Sequence, residues 1–83
     1  MYKVAIKQSA YDSLGKFTPQ ALTSIKGVIM GLRQTPLSRR RGDVSKIRGY
    51  DSLYRIHTLT AKITYEIEWE AKTLVIHYVE PGA

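Results

Sequence analysis

The alternation running from Lys46 to Tyr65 constrains this chain more than any other feature. Ile47, Tyr54, Ile56, Ala61, Ile63 and Tyr65 fall on the apolar phase of a two-residue period, and Lys46, Arg48, Arg55, His57 and Lys62 fall on the opposite phase. A strand sends successive side chains to opposite faces. Three short strands laid side by side can therefore close a core with one face and gather five basic or titratable groups on the other. A patch of that kind suits a phosphodiester backbone.

The charge distribution points the same way. The formal net charge is +6, and residues 33–62 hold eight of the bases (Arg33, Arg39, Arg40, Arg41, Lys46, Arg48, Arg55, Lys62) against two acids, Asp43 and Asp51. The remaining residues balance, so the whole excess lies in one contiguous third. Clustering is what an electrostatic footprint for a polyanion requires; a solvated basic face is the plainer alternative. With 83 residues the expectation is a single domain over 1–83. There is no cysteine, so neither disulfides nor thiolate metal sites contribute. No His or carboxylate cluster has metal-ligand spacing, and no cofactor or metal is expected. No apolar run approaches membrane-spanning length, and the alternating N-terminus lacks a signal-peptide centre, so a soluble cytoplasmic protein with no membrane partner is expected.

Tyr2, Val4 and Ile6 share a phase and predict a first strand. Ser9, with Asp12 three residues on, predicts a capped short helix bearing Tyr11, Leu14 and Phe17. Thr18-Pro19 predicts a second N-terminus, and Leu22, Ile25, Ile29 and Leu32 recur as one buried helical face. Thr35-Pro36 ends that helix. Residues 35–44 read as a basic loop, and residues 46–79 as a four-stranded meander with a turn at 49–52. The segment from Thr73 to Val79 is apolar on both phases, which predicts a central strand. The fold class expected is α+β: an N-terminal strand, a helical hairpin, then an antiparallel meander, with the helices on one face of a twisted four- to five-stranded sheet.

Several of these segments together resemble the RelE/ParE superfamily of toxin–antitoxin systems. They are the N-terminal strand with its helical hairpin ending at Leu32 to Pro36, Lys46-Ile47-Arg48-Gly49, Leu53 to Ile56, Lys62 to Ile67, and Leu74 to Val79. The resemblance implies one of two activities. RelE-like members are ribosome-dependent endoribonucleases that cut mRNA; ParE-like members poison DNA gyrase without catalytic residues. A cognate antitoxin, expected to be acidic, silences both. Carried over by position, the basic pair on the third strand corresponds to Arg55 and His57, and the arginine opening the fourth to Lys62. The arginine expected after the last strand would fall at Gly82 and is absent, and the tyrosine beyond it has no counterpart within these 83 residues.

RNA cleavage without metal needs a base for the 2′ proton, an acid for the departing 5′-oxygen, and cations for the charge on phosphorus. His57 is the residue on the basic phase able to give and take a proton near neutrality. Arg55 and Lys62 would stabilise the transition-state charge. Lys46 and Arg48, with Arg39, Arg40 and Arg41 in the loop, would hold the RNA backbone. The favoured expectation is thus a metal-free endoribonuclease acting on ribosome-bound mRNA. The alternative is a gyrase-binding toxin, or a degenerate member that binds only its antitoxin. His77, on the central strand, reads as a core histidine.

Overall fold

The structure, a computed structural model, describes residues 1–40 and 42–82. Its elements are β1 (Lys3–Ile6), α1 (Gln8–Leu14), α2 (Pro19–Gln34), β2 (Asp43–Lys46), β3 (Leu53–His57), β4 (Ala61–Glu68) and β5 (Thr73–Pro81). The five strands form one sheet in the order β1-β5-β4-β3-β2. Strand β1 runs parallel to β5, and the other pairs are antiparallel. The chain leaves one sheet edge at β1 and rejoins the opposite edge at β2. The helical hairpin between them crosses one face of the sheet, as the α+β reading predicts.

Cross-strand register holds the core. Val44, Ile56, Ile63 and Val79 form one row over four strands, and Val4, Leu74 and Ile67 form another. These side chains pack against Ile25, Val28 and Leu32 of α2 and Ala10 of α1. Burying each large aliphatic group stabilises the fold by roughly 1.5–3 kcal/mol before entropy is counted. The α2 seam is offset from the predicted stripe. Val28 is buried, whereas Leu22 and Ile29 are half-buried. Positions 25, 28 and 32 point straight at the sheet, and 22 and 29 flank that line.

Both helix starts have local causes. Thr18 caps α2 by accepting from the Ala21 N–H at 3.2 Å, with Pro19 as the first helical residue. The predicted Ser9 cap on α1 does not form. Lys7 N–H donates to the Ile76 carbonyl at 3.0 Å, which keeps the chain extended through Lys7, and the helix begins at Gln8. Ser9 therefore lies inside the first turn, where its hydroxyl donates to the His77 carbonyl at 3.2 Å.

Two strand details differ from the sequence reading. Strand β2 begins at Asp43, within the expected loop, and ends at Lys46. Residues 47–52 form the turn, with Gly49 at φ +90, a conformation side-chain-bearing residues rarely adopt. A bulge interrupts the β4–β5 ladder: Tyr65 pairs with Ile76 and Thr64 with Tyr78, leaving His77 as the extra residue.

Tyr65 anchors the centre of the sheet to the loop after α2. It is 0% exposed, and its ring stacks on Tyr54 at 6.1 Å. Its hydroxyl donates to the Pro36 carbonyl at 2.7 Å. Burial, and secondarily the neighbouring Tyr54, hold the phenol far above its ordinary pKa. The proton is thus retained in the folded state after the unfolded chain has lost it near pH ~10. Above that pH the unfolded state binds fewer protons, so stability falls as pH rises, by about 1.4 kcal/mol per unit from this group. Tyr65→Phe should cost about 1 kcal/mol in urea denaturation at pH 7 and should flatten the decline above pH 10. An equal alkaline slope in the variant would show that Tyr65 keeps no such proton.

Candidate functional site

The face of the sheet turned away from the helices carries its polar rows. Asp43, His57, Lys62 and Glu80 lie in register across β2, β3, β4 and β5, and Ser45, Arg55, Thr64 and Tyr78 form the next row. Paired residues on adjacent strands sit about 5 Å apart, and alternate residues along a strand about 7 Å. Arg55, His57 and Lys62 therefore converge on one patch. Arg55 and His57 are exposed, and Lys62 is half-buried. Thr64, 2% exposed, accepts from Arg55 Nε at 3.2 Å, which fixes the guanidinium stem and leaves its terminal nitrogens to project outward. The His57 ring is fixed as well: Nε2 donates to the Gly82 carbonyl at 3.0 Å.

The other predicted cations do not join this patch. Lys46 is in register with Tyr54, on the same phase as buried Val44, so it belongs to the opposite side of the sheet from Arg55. The reading of Lys46 as a partner of Arg55 failed because the strand ends there and Ile47 starts the turn. Arg48 is exposed in that turn, at the end of the β2–β3 hairpin away from His57, roughly 13 Å or more along the strand. Arg39 is exposed in the loop after α2. Arg40 lines a cleft of about 350 Å³ with Val28, Leu32 and Ile56, which places it on the helical side. Arg41 lies outside the described residues. The expected five-membered basic face is thus corrected to Arg55, His57 and Lys62.

His77 corrects a second expectation. His77 lies one residue past buried Ile76 and so faces the open side, where Nε2 donates to Glu66 Oε1 at 3.0 Å, and the bulge beside it returns Val79 to the core. Among the described residues this is the one ion pair within 4.0 Å, so neither Arg55 nor Lys62 is neutralised by the glutamates that share their face. Thr64, Tyr78, Asp43 and Glu80 were missed by sequence reasoning. Their place beside His57 follows from cross-strand register, which no single strand's periodicity reports. Tyr78 is 54% exposed, flat and aromatic, in the same row as Arg55.

What this arrangement can do is bind and polarise an anion. It offers a held guanidinium, an ammonium and an imidazole on an exposed surface, bordered by carboxylates at both ends of the row.

Helices on one face and a cationic patch on the other define a small α+β protein whose sheet carries Arg55, His57 and Lys62 on the side away from its helical layer. No protein-family model matches the chain. It is 22% identical over 78 residues to a candidate toxin, RelE1, of Methanocaldococcus jannaschii, covering 94% of this chain and 87% of that one. Among solved structures, the Pyrococcus horikoshii RelE–RelB complex matches with a TM-score of 0.86 at 23% identity, covering 99% of this chain and 96% of that one. The isolated E. coli RelE toxin matches with a TM-score of 0.81 at 15% identity, covering 100% and 86%. The chain has the RelE-like fold.

The geometry generates a test by charge removal. Arg55→Ala and Lys62→Ala should each weaken binding to a single-stranded RNA and lower the slope of log affinity against log salt by about 0.7. Lys46→Ala should leave both nearly unchanged. A loss from Lys46→Ala equal to that from Lys62→Ala would contradict the two-sided placement.

Proposed function

We propose that this chain is a cytoplasmic, RelE-type toxin of a toxin–antitoxin pair, one domain over residues 1–83. We propose further that it acts as a metal-free endoribonuclease on ribosome-bound mRNA. The observation that carries this reading is the convergence of Arg55, His57 and Lys62 on the helix-free face, with no carboxylate among the described residues paired to either cation.

The reaction that fits these groups is internal transesterification. The 2′-oxygen attacks the adjacent phosphorus, the P–O5′ bond breaks, and a cyclic phosphate and a free 5′-hydroxyl result. One proton leaves the 2′-oxygen and one reaches the 5′-oxygen. With Nε2 donating to Gly82, the ring nitrogen of His57 with a free lone pair is Nδ1, which suits it to take the 2′ proton. Arg55 and Lys62 stabilise the extra charge on phosphorus, a role often worth roughly 3 kcal/mol per donor. Thr64 keeps Arg55 aimed at that position. The ribosome's part would be to splay and align the message over this open surface, since the patch is a face and not a closed pocket.

The antitoxin reading rests on the RelE–RelB complex among the similar structures and on an apolar groove. Ile6, Leu22, Ile25, Ile29 and Met30 line a groove of about 390 Å³, edged by Lys26 and Arg33. Ile6 and Met30 are 44% and 45% exposed. An amphipathic segment with acidic flanks fits it. Met30→Glu should abolish neutralisation by the cognate antitoxin in a co-expression assay without lessening growth arrest. Neutralisation that persists would move the antitoxin elsewhere.

One observation favours a second reading. At Gly82, where the resemblance implies an arginine, the backbone packs so tightly on the β3–β4 turn that no side chain fits. The cationic set is therefore smaller than a nuclease of this type is expected to hold, which suits a gyrase-binding toxin or a member that binds only an antitoxin. Induced expression with mapping of message ends separates the readings. Messages should be cut in step with the reading frame, and His57→Ala or Arg55→Ala should relieve growth arrest with unchanged thermal stability. Intact messages with gyrase-linked DNA breaks, or full toxicity in both variants, would overturn the nuclease assignment.

A further inference from the structure

The segment after β5 holds the His57 ring from behind. Pro81 is in register with Ala61, and Gly82 N–H donates to the Thr60 carbonyl at 3.1 Å, so the ladder continues onto the β3–β4 turn. A Cβ at Gly82 would lie 2.8 Å from Ala61 N, 2.9 Å from Thr58 O and 2.9 Å from Thr60 C. All three are backbone atoms and cannot swing aside. Glycine alone permits this approach, and the approach is what sets the Gly82 carbonyl 3.0 Å from His57 Nε2. The turn is itself tied. Thr58 Oγ1 accepts from Thr60 N–H at 3.2 Å and Ala61 N–H at 2.9 Å, and donates to the Ala61 carbonyl at 2.9 Å. A rigid platform thus carries the carbonyl.

We propose that Gly82 is a positioning residue for His57: its carbonyl holds the proton on Nε2 and so presents Nδ1, unprotonated, to the open face. A carbonyl oxygen can only accept, so the bond exists only when Nε2 carries hydrogen. Asp43 and Lys62 flank His57 in the same row, Glu80 lies beyond Lys62, and Arg55 is two residues back along β3. None of them forms a hydrogen bond to Nδ1 among the described residues. The assignment of Nδ1 as the proton acceptor in cleavage rests on the nuclease reading; the tautomer itself does not.

The test is made on the purified 15N-labelled protein at a pH where the imidazole is neutral. Long-range 1H–15N correlations report the tautomer, and proton spectra report whether the Nε2–H exchanges slowly. His77→Gln identifies the His57 signals. Wild type should show one tautomer, Nε2–H, with a slowly exchanging proton. Gly82→Ala, and separately a chain ended at Pro81, should lose the slow proton and lower the tautomer ratio by about five-fold, the worth of one net hydrogen bond. A dominant Nδ1–H form in wild type, or a slow Nε2–H proton retained in the chain ended at Pro81, would overturn the proposal. Growth arrest is read in parallel. Should His57→Ala stay fully toxic, the nuclease reading falls while the tautomer result still decides the role of Gly82.

Discussion

The pairing of β4 with both neighbours, in the register that sets Ile56, Ile63 and Val79 in one row, is the constraint on which the rest of the molecule depends. That row meets α2 at Ile25, Val28 and Leu32, and it fixes which face is dry. Because the side-chain period of a strand is two, the same register fixes the other face. A slip of one residue would drive Arg55, His57 and Lys62 under the helices and expose Ile56 and Ile63. Burying three such groups unpaired would cost several kcal/mol each. The cationic patch is therefore specified by the hydrophobic core, and the dry face and the charged face share one alternation.

Backbone groups refine what that alternation roughly positions. Thr64 holds Arg55 and the Gly82 carbonyl holds His57, so two of the three side chains of the patch are oriented before any ligand arrives. The bulge at His77 adds a half-step to β5. It keeps Ile76 and Val79 both in the core, three residues apart, and brings His77 and Tyr78 to the open face together. His77 is then satisfied by Glu66, which removes that carboxylate from competition for Arg55. On an exposed sheet face these cations keep much of their hydration, so the arrangement avoids the desolvation cost a closed pocket would impose.

The departures from the sequence reading have physical causes. Lys46 and Ile47 alternate in sequence, yet the β2 strand ends between them, and a phase has no meaning across a turn. Arg48 has the right charge at the wrong end of the hairpin. Arg39 and Arg40 sit in a segment without periodicity, where composition records charge but no direction. On α2, Val28 replaced Ile29 in the seam because the helix's rotation is set by contact with the sheet. At Ser9 a helix-capping residue was available, but a backbone bond from the preceding strand took the decision first.

By itself, the sequence determined the fold class, the layer that carries the helices, and the common face of Arg55, His57 and Lys62. Each of these follows from short-range periodicity, a property of the covalent chain and the pleat. Only the tertiary structure decided that Asp43, Thr64, Tyr78 and Glu80 border the patch, that His77 leaves the core, and that Gly82 touches His57 across 25 residues of chain. Those contacts come from register between strands, a bulge, and one backbone approach too close for any side chain. They depend on distances between segments, which no local pattern of residues encodes.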